Sequence, residues 1–230
     1  MTRTRDVVRF DMHQRVQHIL MASSFTVLAL TGLPQKFDDL GVSQAFIAAL
    51  GGLDSVRLAH RVAAFVMLFD CLYHAAYLVW LLAVRRVKAF GMVASLQDFR
   101  DVWQTLRWFL GLTRRTPDFD RFTYMEKFDY WAVFWGIAII GGSGLVMMFP
   151  VAATAILPGV IIPVAFVAHS DEAVLAVGWI VLVHMFYAHL SPRAFPMDRS
   201  IFTGRTPLST AREHHPRWVA RLTEDASKGG

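Results

Sequence analysis

Four continuous apolar runs dominate this chain, and three of them carry histidines. They cover about residues 16–33, 56–84, 130–149 and 171–190. Each is close to the ~20 residues that cross ~30 Å of hydrocarbon as a helix. None alternates with the period of two that a membrane β-barrel strand needs. His18, His60, His74, His169, His184 and His189 all sit in or beside these runs. An imidazole in hydrocarbon is costly, so it marks a site with a specific partner. The chain therefore reads as an all-α integral membrane protein, a four-transmembrane-helix bundle, with chemistry inside it.

Composition removes several alternatives. Of 230 residues, 55% are hydrophobic, above the ~45–50% of soluble domains. A single cysteine, Cys71, precludes an internal disulfide and a thiolate cluster. It lies in an apolar run and reads as a small buried hydrophobe. The net charge of +5 does not point to nucleic acid, because the basic residues flank the apolar runs. The first run closes with Thr31-Gly32-Leu33-Pro34-Gln35-Lys36 and offers no small-residue cleavage site, so it is expected to persist as a membrane helix.

Lysine and arginine set the orientation. Arg3, Arg5, Arg9 and Arg15 precede the first run, nine basic residues lie between Arg85 and Lys127, and seven follow Leu190. The other two connections hold only Lys36, Arg57 and Arg61. The positive-inside rule then places both termini and the middle loop in the cytoplasm. Residues 151–168, broken by Pro158 and Pro163, read as an extracytoplasmic connection at the interface. Residues 95–110 space Phe99, Val102, Trp103, Leu106 and Phe109 by three and four, predicting an interfacial amphipathic helix between the second and third spans. The chain divides into a membrane domain, 1–190, and a cytoplasmic tail, 191–230, read as an extended arm. No internal repeat is present.

The histidines fall at two depths. His60 and His74 are fourteen residues apart in the second span, within about 40° of one face and ~21 Å along it. His169 and His184 are fifteen apart in the fourth, about 60° from eclipsed and ~22 Å apart. Both spans run outside to inside, so His60 matches His169 at the outer level. His184 matches His74 at the inner level, and His18 is also there. Paired imidazoles on facing helices suit haem iron, and two levels suit two stacked b haems, with neutral rings as ligands. His18 and His74 compete as the partner of His184. His189 lies about 140° around an α-helix from His184 and should face elsewhere. It remains an alternative ligand, a third-haem ligand, a quinone-site group or an interfacial residue. Ala63, Ala64, Gly136, Gly141, Gly142, Gly144 and Gly178 provide small surfaces beside a macrocycle. Arg15, Arg57 and Arg61 are placed for propionates. Tyr124, Lys127, Asp129 and His189 are candidates for quinone proton exchange.

Arg15-x-x-His18, Arg57-x-x-His60, His184-Met185 and the tail His214-His215-Pro216-Arg217-Trp218 together resemble the cytochrome b (gamma) subunit of membrane-bound formate dehydrogenases and related bacterial respiratory di-haem membrane anchors. The resemblance spreads over nearly the whole chain. It implies an outer haem on His60 and His169, an inner haem on His18 and His184, and quinone beside the inner haem. The sequence departs from that pattern at His74 and His189, which lack counterparts. It departs again in a His169–His184 spacing one residue longer, and in the absence of the expected Asn and Gly before the third span.

The expected function is a cytochrome b of the bacterial inner membrane that passes electrons between a quinone or quinol pool and a periplasmic redox partner. That partner would be an iron–sulfur or multihaem c-type subunit with its catalytic subunit. The chain would be an electron-transfer subunit without a substrate site of its own, holding two haems, or three if His74 and His189 are ligands. Membrane lipid is a partner and nucleic acid is not. The alternatives are a stand-alone cytochrome of the b561 type and a His-lined metal or proton transporter.

Overall fold

The computed structural model describes residues 6–85, 90–191 and 194–228. Arg3, Arg5, Arg86, Lys88 and Arg193, which contribute to the charge asymmetry, lie outside the described residues. Four helices are long and apolar enough to cross a membrane: Met12–Lys36, Leu53–Ala83, Tyr124–Met148 and Ile161–Leu190, here spans one to four. Their mean hydropathy runs from 1.5 to 1.9. Large apolar side chains point away from the protein along all four, as at Leu30, Leu72, Trp135 and Leu182. An exposed apolar surface of that extent requires a lipid solvent.

Span four corrects one expectation. It begins at Ile161, not near Asp171, so His169 lies two turns inside it. Pro163 is the third residue of this helix. A proline there removes only an N–H that has no intrahelical acceptor, so it does not break the helix. Only the short helix Pro150–Thr154 and the turn after it connect spans three and four.

Spans three and four are not uniform α-helix. Residues Ile137–Gly141, Ile180–His184 and Phe186–Leu190 bond in the π pattern, from i to i+5. Such turns are rare and concentrate at functional sites.

The chain divides into two compact units. One comprises residues 16–77 and 132–198 and holds His18, His60, His74, His169, His184 and His189. Within it, span one buries Gln17, Ser24 and Thr31, and span two buries Val56, Ala63 and Asp70 and, at the next step, Tyr77. Both sets recur every seven residues, the spacing of a left-handed helix pair. The contacts run antiparallel: Gln17 to His74, Ser24 to Met67 and Thr31 to His60.

The second unit comprises residues 1–15, 78–131 and 199–230. The tail is folded within it, not extended. Strand Arg205–Pro207 pairs antiparallel with Asp6–Val8, with Val7 opposite Thr206. Helices Leu208–His214 and Pro216–Lys228 follow, and Ala211, Trp218 and Val219 form a small core with Val7 and Leu208. Gly204 closes the preceding turn at φ +79°, and a Cβ there would lie 2.7 Å from the Phe10 carbonyl oxygen, so no other residue fits. Ion pairs complete the unit: Arg9–Glu126 at 2.7 Å, Lys127–Asp98 at 2.8 Å and Arg217–Asp101 at 2.9 Å. Arg121 bonds the Arg9 carbonyl and lies over the rings of Phe122 and Trp218. The predicted amphipathic helix is present as Leu96–Phe109, capped by a reciprocal Ser95–Asp98 box.

Candidate functional site: two imidazole pairs

Span two carries His60 and span four carries His169, and their ring centres are 6.1 Å apart. The Thr31 hydroxyl spends its hydrogen on the Val27 carbonyl at 2.6 Å. Its 2.9 Å contact with His60 Nδ1 is therefore a hydrogen bond donated by the imidazole. His169 Nδ1 lies 2.8 Å from the Ile140 carbonyl and also donates. Ile140 belongs to the π-turn Ile137–Gly141, whose displaced bonding pattern frees carbonyls for such use. In both histidines Nδ1 holds the proton, so Nε2 keeps its lone pair. Two glycines make room for the rings. A Cβ on Gly32 would lie 3.2 Å from His60 Cε1, and one on Gly144 would lie 3.2 Å from His169 Cε1.

At the inner level the ring centres of His18 and His184 are 6.3 Å apart, tilted by 34°. His18 Nδ1 is buried without a hydrogen-bond partner. His74, the other candidate at this depth, contacts span one and span three. Its Nδ1 is 2.9 Å from Gln17 Oε1, and its ring lies 5.7 Å from that of Phe134. Gln17 is itself buried, and its Nε2 lacks a partner.

His189 differs from its α-helical expectation. Two π-turns bracket Met185, and their wider turn brings residues five apart closer to one face than the α-helical angle does. His189 and His184 both fall within electrostatic reach of His18. His189 Nδ1 is also buried without a partner.

These positions fit a metal held between two imidazoles. Two such rings, each bonding a metal at about 2.0 Å with its centre about 1 Å further out, have centres about 6 Å apart. Both observed pairs have that spacing. The outer glycines leave the rings uncrowded, and the Nδ1 bonds of His60 and His169 are the outer-shell contacts that orient a ligand. No group of three or more His, Cys, Asp or Glu side chains suited to a bare metal ion occurs among the described residues.

The remaining candidates are distributed as follows. Arg57 lines a cavity of about 450 Å³ with Gln35, Asp38, Gln44 and Phe166, and Arg61 is exposed. Arg15 belongs to the other unit, where its guanidinium bonds the Phe202 carbonyl. Tyr124, Lys127 and Asp129 also belong there. Lys127 is committed to Asp98, with both side chains 13% exposed. Of the small residues, Gly144 meets a histidine, whereas Gly142 and Gly178 face open space. His215, which the sequence left in a hydrophilic tail, is buried. Its Nδ1 donates to the Asp120 carbonyl at 2.6 Å, and Trp218 lies edge-on to it. Burial, aided by Arg9, holds this imidazole below its ordinary range against Glu126 and that hydrogen bond. For Asp98, burial would raise the carboxyl, but hydrogen bonds from Lys127 and Ser95 and the Lys127 charge bring it below the usual carboxylate range.

Sequence reasoning missed Thr31, Gly32, Gln17 and Ser143. Gln17 and Thr31 could have been found from the seven-residue recurrence of polar positions in span one, and Gly32 adjoins the last of them. Ser143, 3.4 Å from His169 Nδ1, depends on the π-turn and had no sequence signal.

No curated protein matches this chain. The profile of the family described as "Prokaryotic cytochrome b561" matches residues 9–204, which include every histidine of both pairs. With that match over most of its length and four membrane-spanning helices, the chain belongs to the prokaryotic cytochrome b561 family and is a bacterial membrane b-type cytochrome of electron transfer.

Proposed function

We propose that this protein carries electrons across the bacterial inner membrane between the quinone pool and a redox partner on the periplasmic side. The outer site is His60 with His169 and the inner site is His18 with His184. The carrying observation is the pair of imidazole couples with ring centres 6.1 and 6.3 Å apart, one between spans two and four and the other between spans one and four. Haem b, when bound, supplies a reversible one-electron iron couple. The chain's own residues do the rest. Thr31 and the Ile140 carbonyl fix the outer tautomers, and Gly32 and Gly144 keep space at the rings. His189 and His74 are the polar groups at the inner level that can exchange a proton with quinone, and the unpartnered His189 Nδ1 favours His189. Arg57, one turn from His60, is the propionate candidate at the outer level.

In this reading the chain is a subunit like the gamma subunit of formate dehydrogenase. Its partners are an iron–sulfur or multihaem c-type subunit and a catalytic subunit. A stand-alone cytochrome is the second reading, and the b561 family match is compatible with it as well. A reduced-minus-oxidised spectrum with pyridine-haemochrome quantitation tests the first claim, with two b haems per chain expected. One or none would sink the paired-site reading. Isolation from its native membrane tests the second. Co-purification of a c-type or iron–sulfur subunit supports the complex, and a monodisperse cytochrome that oxidises quinol alone supports the stand-alone reading.

A further inference from the structure

Helix Leu96–Phe109 faces the opposite way from an amphipathic helix in a water-soluble protein. Its polar side is turned into its own unit. Asp98 pairs with Lys127, Asp101 pairs with Arg217, and Gln104 Nε2 donates to the Arg115 carbonyl at 2.8 Å. Its apolar side is bare: Phe99 is 69% exposed, Trp103 62% and Phe109 79%. A face of two aromatic rings and Trp103 set against nothing belongs at a lipid headgroup boundary.

Against the polar flank lies a cavity of about 330 Å³ lined by Arg100, Arg115, Arg217, Gln104 and Thr116, with Asp101 and Asp118. Asp101 is neutralised by Arg217, to which it offers both carboxylate oxygens. Arg100 and Arg115 make no ion pair among the described residues. With Asp118 as the one remaining carboxylate, the cavity keeps a positive charge and two guanidinium forks for an anion. Arg100 lies about 60° round the helix from Trp103, between the bare apolar face and Gln104, so the cationic cavity borders that face.

We propose that this cavity binds the phosphate headgroup of an anionic phospholipid, with the acyl chains lying along Phe99 and Trp103. Charge complementarity selects an anion. The adjoining apolar face selects one that carries hydrocarbon, because a soluble phosphate would leave that face uncovered. Basic pockets on the side that holds the excess Lys and Arg are where such headgroups are bound.

The test uses the full-length protein in detergent, observed by native mass spectrometry while phosphatidylglycerol, phosphatidylcholine or inorganic phosphate is titrated. One saturable phosphatidylglycerol per chain is expected. Its affinity should fall at least tenfold in R100Q/R115Q and hold in R114Q, which removes a nearby exposed charge outside the cavity. Equal binding of phosphatidylcholine, or an equal loss in R114Q, would overturn the site. Inorganic phosphate competing at the same concentration would make it a soluble-anion site and overturn the lipid assignment. A second measurement needs no arginine variant. Brominated phosphatidylglycerol should quench the fluorescence difference between the native protein and W103F more than brominated phosphatidylcholine does. Equal quenching by the two lipids would count against the proposal.

Discussion

The outer and inner histidine pairs have nearly the same ring separation and very different surroundings. His60 and His169 each give Nδ1–H to a fixed oxygen and each faces a glycine. His18 has a buried Nδ1 with no partner, and two further histidines and an amide lie at its level. The outer pair is preorganised, with its proton inventory closed. The inner pair keeps buried polar atoms open, which is costly in an apolar interior unless a ligand or water satisfies them. A site that only passes electrons needs the first arrangement. Under the proposed function, the second suits a site that also exchanges protons with quinone.

The largest expected effect comes from removing a ligand. His60→Ala or His169→Ala should halve the haem content and leave the inner signal intact, read by pyridine haemochrome and redox titration. Loss of both signals would mean that the levels are not independent. Next, His18→Ala should lose the inner haem, whereas His74→Ala should keep two haems and only perturb the inner spectrum. Equal loss from both variants would point to a third haem and break the contrast.

A smaller effect follows from crowding. Gly144→Val or Gly32→Val forces the outer imidazole to shift, at about 1–3 kcal/mol for overpacking. Weakened outer haem retention and altered low-temperature EPR of the outer signal alone are expected. Thr31→Val removes one hydrogen bond worth about 1 kcal/mol, so the outer potential should rise by about 40 mV while the inner stays put. The smallest effect lies outside both pairs. His215 is depressed, so the folded state holds it neutral while the unfolded chain takes a proton below about 6.5. Its contribution to stability is complete above that pH and drains as pH falls through it. Melting between pH 7.5 and 5.5 should be flatter in His215→Gln, with both haem spectra unchanged.

Much of this was legible in the residues. Four spans, the amphipathic helix and two histidine levels follow from hydropathy and helical arithmetic. The errors have physical causes. Pro163 reads as a breaker, yet it falls in a first turn. The tail reads as an arm because its core, Ala211, Trp218 and Val219, is too small to stand out among charges. The angle between His184 and His189 could not be read from the sequence, because nothing in Phe186–Leu190 announces a π-turn. His18 and His74 could not be separated by depth. His74 meets Gln17, whose seven-residue relation to Ser24 and Thr31 was there to be read.

That relation makes spans one and two a ruler. The same antiparallel register that seats Thr31 under His60 seats Gln17 under His74, with Ser24 and Met67 as the mark between them. Sliding one span by a single turn would misalign both levels at once. The two histidine levels are therefore geared together, and neither can be retuned by helix motion without disturbing the other.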